Sequence, residues 1–125
     1  MKPIHRIAIV DDDDGVRQSL SSLVRALGHE VRTYPSATAF LADDGDAPDC
    51  LLTDIQMPQM DGDQLQAELL ARGCTYPMIF MTGFPNEALR ARVMARGARA
   101  FLVKPVDGDA MARCLGEALG IHTSV

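Results

Sequence analysis

The sequence predicts an α/β protein built on a doubly wound, five-stranded parallel sheet, and three observations carry that prediction. Four largely apolar runs, IAIV at 7–10, CLLT at 50–53, MIFM at 78–81 and AFLV at 100–103, are continuous rather than alternating. Such runs imply strands buried on both faces, as in a parallel sheet sandwiched by helices. Segments with apolar residues at helical spacing separate them, so strand and helix alternate along the chain and right-handed crossovers follow. The runs also end in polar side chains, and sheets of this kind collect their ligands at the carboxyl ends of the strands.

Taken in order, the first strand IAIV leads into a helix carrying Val16, Leu20, Leu23, Val24 and Leu27, with Gly28 placed as its C-terminal stop. EVRTY at 30–34 alternates and is more polar, which suits a strand at the sheet edge. Ser36 caps a short helix through Leu41, and DDGDAPD at 43–49 reads as a surface turn. After CLLT, Asp61 caps a helix with Leu65, Leu69 and Leu70 that stops at Gly73. Asn86 to Arg96 and Asp109 to Leu119 supply the last two helices, around AFLV. No internal repeat or linker interrupts the pattern, so 1–125 reads as one domain with no effector domain after the fifth helix, before the final IHTSV.

Composition narrows the function class. A net charge of −5 argues against direct nucleic-acid binding and against attachment to an anionic membrane. No apolar run approaches the length of a membrane span, and no signal-peptide pattern opens the chain, so a cytoplasmic protein is expected. Cys50, Cys74 and Cys114 are odd in number and widely spaced, which fits core thiols in a reducing compartment. Arg90, Arg92, Arg96 and Arg99 crowd together; Arg92 and Arg96 share a helix face, read as solvated surface or, second, as a patch for a protein partner.

The chemistry lies at the strand ends. Strand 1 runs into Asp11 and Asp12, strand 3 ends in Asp54, strand 4 in Thr82 and strand 5 in Lys104. Two carboxylates about 4 Å apart repel by roughly 4 kcal/mol at the effective dielectric of a protein surface, so the acidic pair calls for a cation or a set of hydrogen-bond donors. Neighbouring strands are close enough for their terminal carboxylates to share one ion, and hard oxygen ligands with an incomplete cage suit Mg²⁺. Carboxylates, a divalent ion, a lysine and a hydroxyl together make a phosphoryl-transfer site. Asp54, alone at the central strand, is the favoured nucleophile, holding the phosphoryl group as an acyl phosphate. In the run Asp11 to Asp14, Asp14 is placed to cap the first helix, and Asp13 reads either as solvated or as helping near the metal.

IVDDD at 9–13, LLTDIQMPQMDG at 51–62, MTG at 81–83 and LVKP at 102–105 together resemble a response-regulator receiver domain, and VDDDDGVRQSL at 10–20, TYPSATAFL at 33–41 and GARAFLVKP at 97–105 are most similar to receivers of nitrogen-fixation-type transcriptional regulators. The resemblance implies a flavodoxin-like (βα)5 fold with strand order 2-1-3-4-5 and a two-component signalling role rather than an enzyme's. It implies that Asp54 accepts a phosphoryl group from a histidine kinase or phosphotransfer protein. Mg²⁺ would be held by Asp12, Asp54 and the backbone carbonyl of Gln56, with Asp11 acting mainly through water. Lys104 would neutralise one phosphoryl oxygen and Thr82 would swing to bond another, while Lys104–Pro105 would be a cis peptide. Phe101 stands where receivers carry an aromatic switch; a plain packing role is the alternative. Motion of Thr82 and Phe101 would reshape the surface of helix 4, strand 5 and helix 5, where a second copy of the chain would dock upon phosphorylation. Gln56 and Phe84 occupy positions that tune phosphate lifetime, and bulky Phe84 is expected to hinder the attacking water. A competing resemblance reads DDDGV at 12–16 as the opening of a haloacid-dehalogenase-type phosphatase, with Asp12 as nucleophile and Asp14 as acid and base. It leaves DIQMPQMDG at 54–62 unexplained.

Overall fold

A computed structural model describes residues 4–120. Five strands, β1 (Arg6–Val10), β2 (Glu30–Tyr34), β3 (Cys50–Asp54), β4 (Met78–Thr82) and β5 (Ala100–Val103), form one parallel sheet in the order β2-β1-β3-β4-β5. They alternate with α1 (Asp14–Ala26), α2 (Ala37–Ala42), α3 (Gly62–Ala71), α4 (Glu87–Ala95) and α5 (Gly108–Ala118). The expected fold class and strand order are therefore both observed.

The core divides along the pleat, because successive strand side chains point to opposite faces. Ala8, Val10, Leu51 and Phe80 pack with Phe40 of α2, Leu65 and Leu69 of α3 and Val93 of α4. Ile7, Ile9, Leu52, Ile79 and Met81 pack on the other side with Leu20 and Val24 of α1 and Met111 and Leu115 of α5. Both central strands, β3 and β4, are buried at every residue, whereas β2 is partly exposed throughout. The polar strand sits at one edge, as expected. β5 forms the other edge and is at least partly exposed at every residue, so its continuous apolar run did not mean burial on both faces.

Two helix starts differ from the sequence reading. Asp13, not Asp14, caps α1: its backbone is extended and its side chain accepts from Val16 N–H. Asp14 is already in the first turn, where it pairs with Arg17. Likewise α5 begins at Gly108 behind Asp107, whose carboxylate accepts from Ala110 N–H, and Asp109 lies within the first turn. Ser36 and Asp61 cap α2 and α3 as expected, with Asp61 and Gln64 forming a reciprocal capping box, and Asn86 caps α4.

The arginines in and after α4 carry one pairing that the sequence reading did not include. Arg92 and Arg96 lie on exposed surface, as expected, and both also bond Asp63 at the start of α3, at 2.7 and 2.6 Å. Their positive charges staple α3 to α4. Cys50 is buried, which pushes its thiol pKa up to about 12, while Cys74 and Cys114 are half-buried and all three are free. The expectation that IHTSV at 121–125 closes the chain after the last helix lies outside the described residues. Among the described residues no helix is long and apolar enough to cross a membrane.

Candidate functional site

The parallel sheet brings the polar strand ends to one edge. Asp11 follows β1, Asp54 ends the adjacent β3, Thr82 ends β4, and Lys104 follows β5. Asp11 is fully buried, Asp54 nearly so, and Asp12 is exposed. One oxygen from each of Asp11, Asp12 and Asp54 lies within 4.8 Å of the others. Asp14 is not in that cluster; it is exposed and paired with Arg17.

Lys104 crosses the edge of the sheet to reach this cluster. Its ammonium donates to Asp11 Oδ2 at 2.8 Å and lies 3.3 Å from Asp54 Oδ2. Burial works to lower the Lys104 pKa, but its bond to Asp11 and the charges of Asp54 and Asp11 outweigh it and hold the pKa above its ordinary value. The Lys104–Pro105 peptide is cis, as expected. Asp11 spends its other oxygen, Oδ1, on Asp13 N–H at 2.9 Å, and its backbone carbonyl accepts from Arg17 Nη1 at 2.7 Å. Asp11 is thus fixed by the chain that follows it.

Asp54 is the exception in this network. Lys104 faces its Oδ2, but Oδ1 is buried without a hydrogen-bond partner among the described residues. Burial raises the Asp54 pKa, the Asp11 charge adds to the rise, and Lys104 only partly opposes it. A buried, unpartnered carboxylate oxygen beside two further carboxylates is the donor set of a hard divalent cation, so these residues fit Mg²⁺.

Thr82, at the end of β4, and Gln56, in the loop after β3, bond each other beside the site. Thr82, fully buried, donates its hydroxyl to Gln56 Oε1 at 2.6 Å and accepts from Phe84 N–H at 3.0 Å. Phe84 itself is 76 % exposed. Phe101 is half-buried and packs on the core cluster that contains Val93 and Ala98.

Two contributors to the site carried no role in the sequence reading. Arg17 anchors the Asp11 carbonyl. Gly62 is the other: a Cβ there would come within 2.6 Å of the Asp54 carbonyl oxygen, so only glycine lets α3 start against the end of β3. The Asp-Gly pair at 61–62 was the available signal.

Comparison with known proteins agrees with this geometry. The family model described as response regulator receiver domain matches residues 7–115. The transcriptional regulatory protein FixJ of Azorhizobium caulinodans is 41% identical over 121 residues, covering 94% of this chain and 55% of its own length. The response regulator protein TmoT of Ectopseudomonas mendocina is 43% identical over 100 residues, 79% of this chain and 46% of its own. The chain thus spans about half the length of the curated relatives it matches. Among solved structures, FixJ-N aligns with a TM-score of 0.82 at 29% identity, covering all of both chains. Full-length FixJ from B. japonicum aligns with a TM-score of 0.86 at 30% identity over 95% of this chain and 59% of that one. Nothing found supports the haloacid-dehalogenase alternative. With its fold, its strand-end carboxylates and these relatives in agreement, the chain belongs to the response regulator receiver domain family.

Proposed function

We propose that Asp54 is the phosphoacceptor of a two-component receiver formed by residues 1–125, and that the remaining site residues serve its phosphorylation. The observation that carries this reading is Asp54 itself: a buried carboxylate with an unpartnered oxygen, next to two carboxylates and within 3.3 Å of a lysine. Asp11, Asp12, Asp54 and the Gln56 carbonyl would hold Mg²⁺, which supplies charge neutralisation at the phosphoryl oxygens. An Asp54 carboxylate oxygen attacks the phosphorus of a phosphohistidine, a P–O bond forms, the P–N bond breaks, and its electron pair leaves with the imidazole. Lys104, already among the carboxylates, is placed to pair with a phosphoryl oxygen, and Thr82 to donate to another after its side chain turns.

The donor is a histidine kinase or phosphotransfer protein in the cytoplasm, and the domain acts as a switch rather than as an enzyme on external metabolites. The output surface is α4, β5 and α5, used by a second copy of the chain after phosphorylation; Val103 on β5 is half exposed, which supports an open surface there. Incubation with a small-molecule phosphodonor and Mg²⁺, followed by intact-mass measurement, tests the assignment. Wild type gains the mass of one phosphoryl group and Asp54→Asn gains none; size-exclusion chromatography reads the dimer. Labelling that survives Asp54→Asn overturns the assignment.

A further inference from the structure

We propose that Gln56 is a latch: it holds Thr82 in its unphosphorylated position by taking the one proton that a phosphoryl oxygen on Asp54 would need. The inference rests on the phosphoacceptor reading of Asp54 and concerns how that site is restrained before phosphorylation.

A threonine hydroxyl has a single proton to donate and lone pairs with which to accept. In this structure both capacities are engaged. The proton goes to Gln56 Oε1 at 2.6 Å, and the oxygen accepts from Phe84 N–H at 3.0 Å. A separation of 2.6 Å is normal for O–H···O but short for N–H···O, so the carboxamide oxygen, not its nitrogen, faces Thr82. Thr82 is fully buried, so water does not compete for that proton from an exposed side. Phosphoryl oxygens only accept. Gln56 and the phosphoryl group therefore need the same proton, and Thr82 serves one or the other.

The latch also links two loops. Gln56 lies two residues beyond Asp54 in the connection from β3 to α3, and Phe84 two residues beyond Thr82 in the connection from β4 to α4. Turning Thr82 toward Asp54 releases the Gln56 carboxamide and the Phe84 N–H together. Because the Phe84 ring is largely exposed, that release is felt at the surface.

The test removes the acceptor and keeps the length of the side chain, with Gln56→Met, in wild-type and Thr82→Val backgrounds. In protein without divalent cation or phosphodonor, NMR couplings of the Thr82 methyl report its rotamer, and hydrogen exchange reports the Phe84 amide. Gln56→Met is expected to spread Thr82 over several rotamers and to speed Phe84 exchange. With Mg²⁺, the apparent affinity for beryllofluoride, a phosphoryl mimic, is expected to rise roughly 2- to 12-fold, the net worth of one hydrogen bond. In the Thr82→Val background the same substitution should change that affinity by less than about 2-fold, since no proton is contested.

A single unchanged Thr82 rotamer in Gln56→Met overturns the latch. So does an affinity gain of the same size in the Thr82→Val background, because Gln56 would then act on the phosphoryl group directly. Failure of the underlying phosphoacceptor reading is distinguishable: Asp54→Asn would still be labelled, while the rotamer measurement, made without any donor, would decide the latch by itself.

Discussion

Asp54→Asn should make the metal-free protein more stable at neutral pH. The substitution removes one charge from a site that holds three carboxylates and one lysine. Asp11 and Asp12 lie up to 4.8 Å from Asp54, where each repulsion is about 3.5 kcal/mol at an effective dielectric near 20. Lys104 at 3.3 Å returns about 5 kcal/mol of attraction on the same scale. Asp12 is exposed, so solvent weakens its share, and the net relief from removing the charge is about 1 to 2 kcal/mol. For a domain of this size each kcal/mol moves the melting temperature by roughly 3 to 5 °C. The sign also follows from protonation: the folded state raises the Asp54 pKa above its unfolded value, so the folded protein binds the extra proton and wild type loses stability as pH rises through that window. The advantage of Asp54→Asn should therefore vanish in acid, below the ordinary carboxylate range, and be complete at neutral pH. Thermal denaturation in a chelator at a series of pH values measures this. Saturating Mg²⁺ should reverse the order, because wild type binds the ion with a full set of carboxylates and gains stability by mass action. A melting temperature for Asp54→Asn at or below that of wild type in chelator at neutral pH would refute the reasoning.

Gly62→Ala places a Cβ within 2.6 Å of the Asp54 carbonyl, so α3 must move; denaturant unfolding should show a loss of about 1 to 3 kcal/mol, with slower labelling of Asp54. Asp63→Ala leaves Arg92 and Arg96 without their shared partner, and as both arginines are partly exposed the same measurement should show a loss of only about 1 kcal/mol. Phe84→Ala should shorten the life of the phosphorylated state by admitting water, read as the decay of the phosphorylated mass after donor removal; an unchanged rate would remove Phe84 from that role.

The inner strands were legible because burial on both faces leaves a continuous apolar signature, and β3 and β4 show it at every residue, whereas β5 carries the same signature at a partly exposed edge. Asp54, Asp11, Asp12, Thr82 and Lys104 were legible for a related reason: a parallel sheet sends every strand end to one edge, so residues far apart in sequence are collected by topology alone. What the sequence hid was any choice between equivalent neighbours. Asp13 and Asp14 carry the same side chain, and only the extended backbone at Asp13 makes it the cap. Asp107 and Asp109 pose the same ambiguity before α5. Pairings between helices were hidden as well: Arg92 and Arg96 find Asp63 on another element, and nothing local in the α4 sequence announces it. The bond from Thr82 to Gln56 joins residues 26 apart in the chain and depends on side-chain orientation, which spacing does not encode.

Locating the phosphoryl group within the chain tests the central claim most directly. After brief incubation with phosphodonor and Mg²⁺, proteolysis and peptide mass mapping should place the added mass on the peptide that contains Asp54. A phosphoryl group on the peptide carrying Asp11 to Asp14, with Asp54 unmodified, would contradict the account.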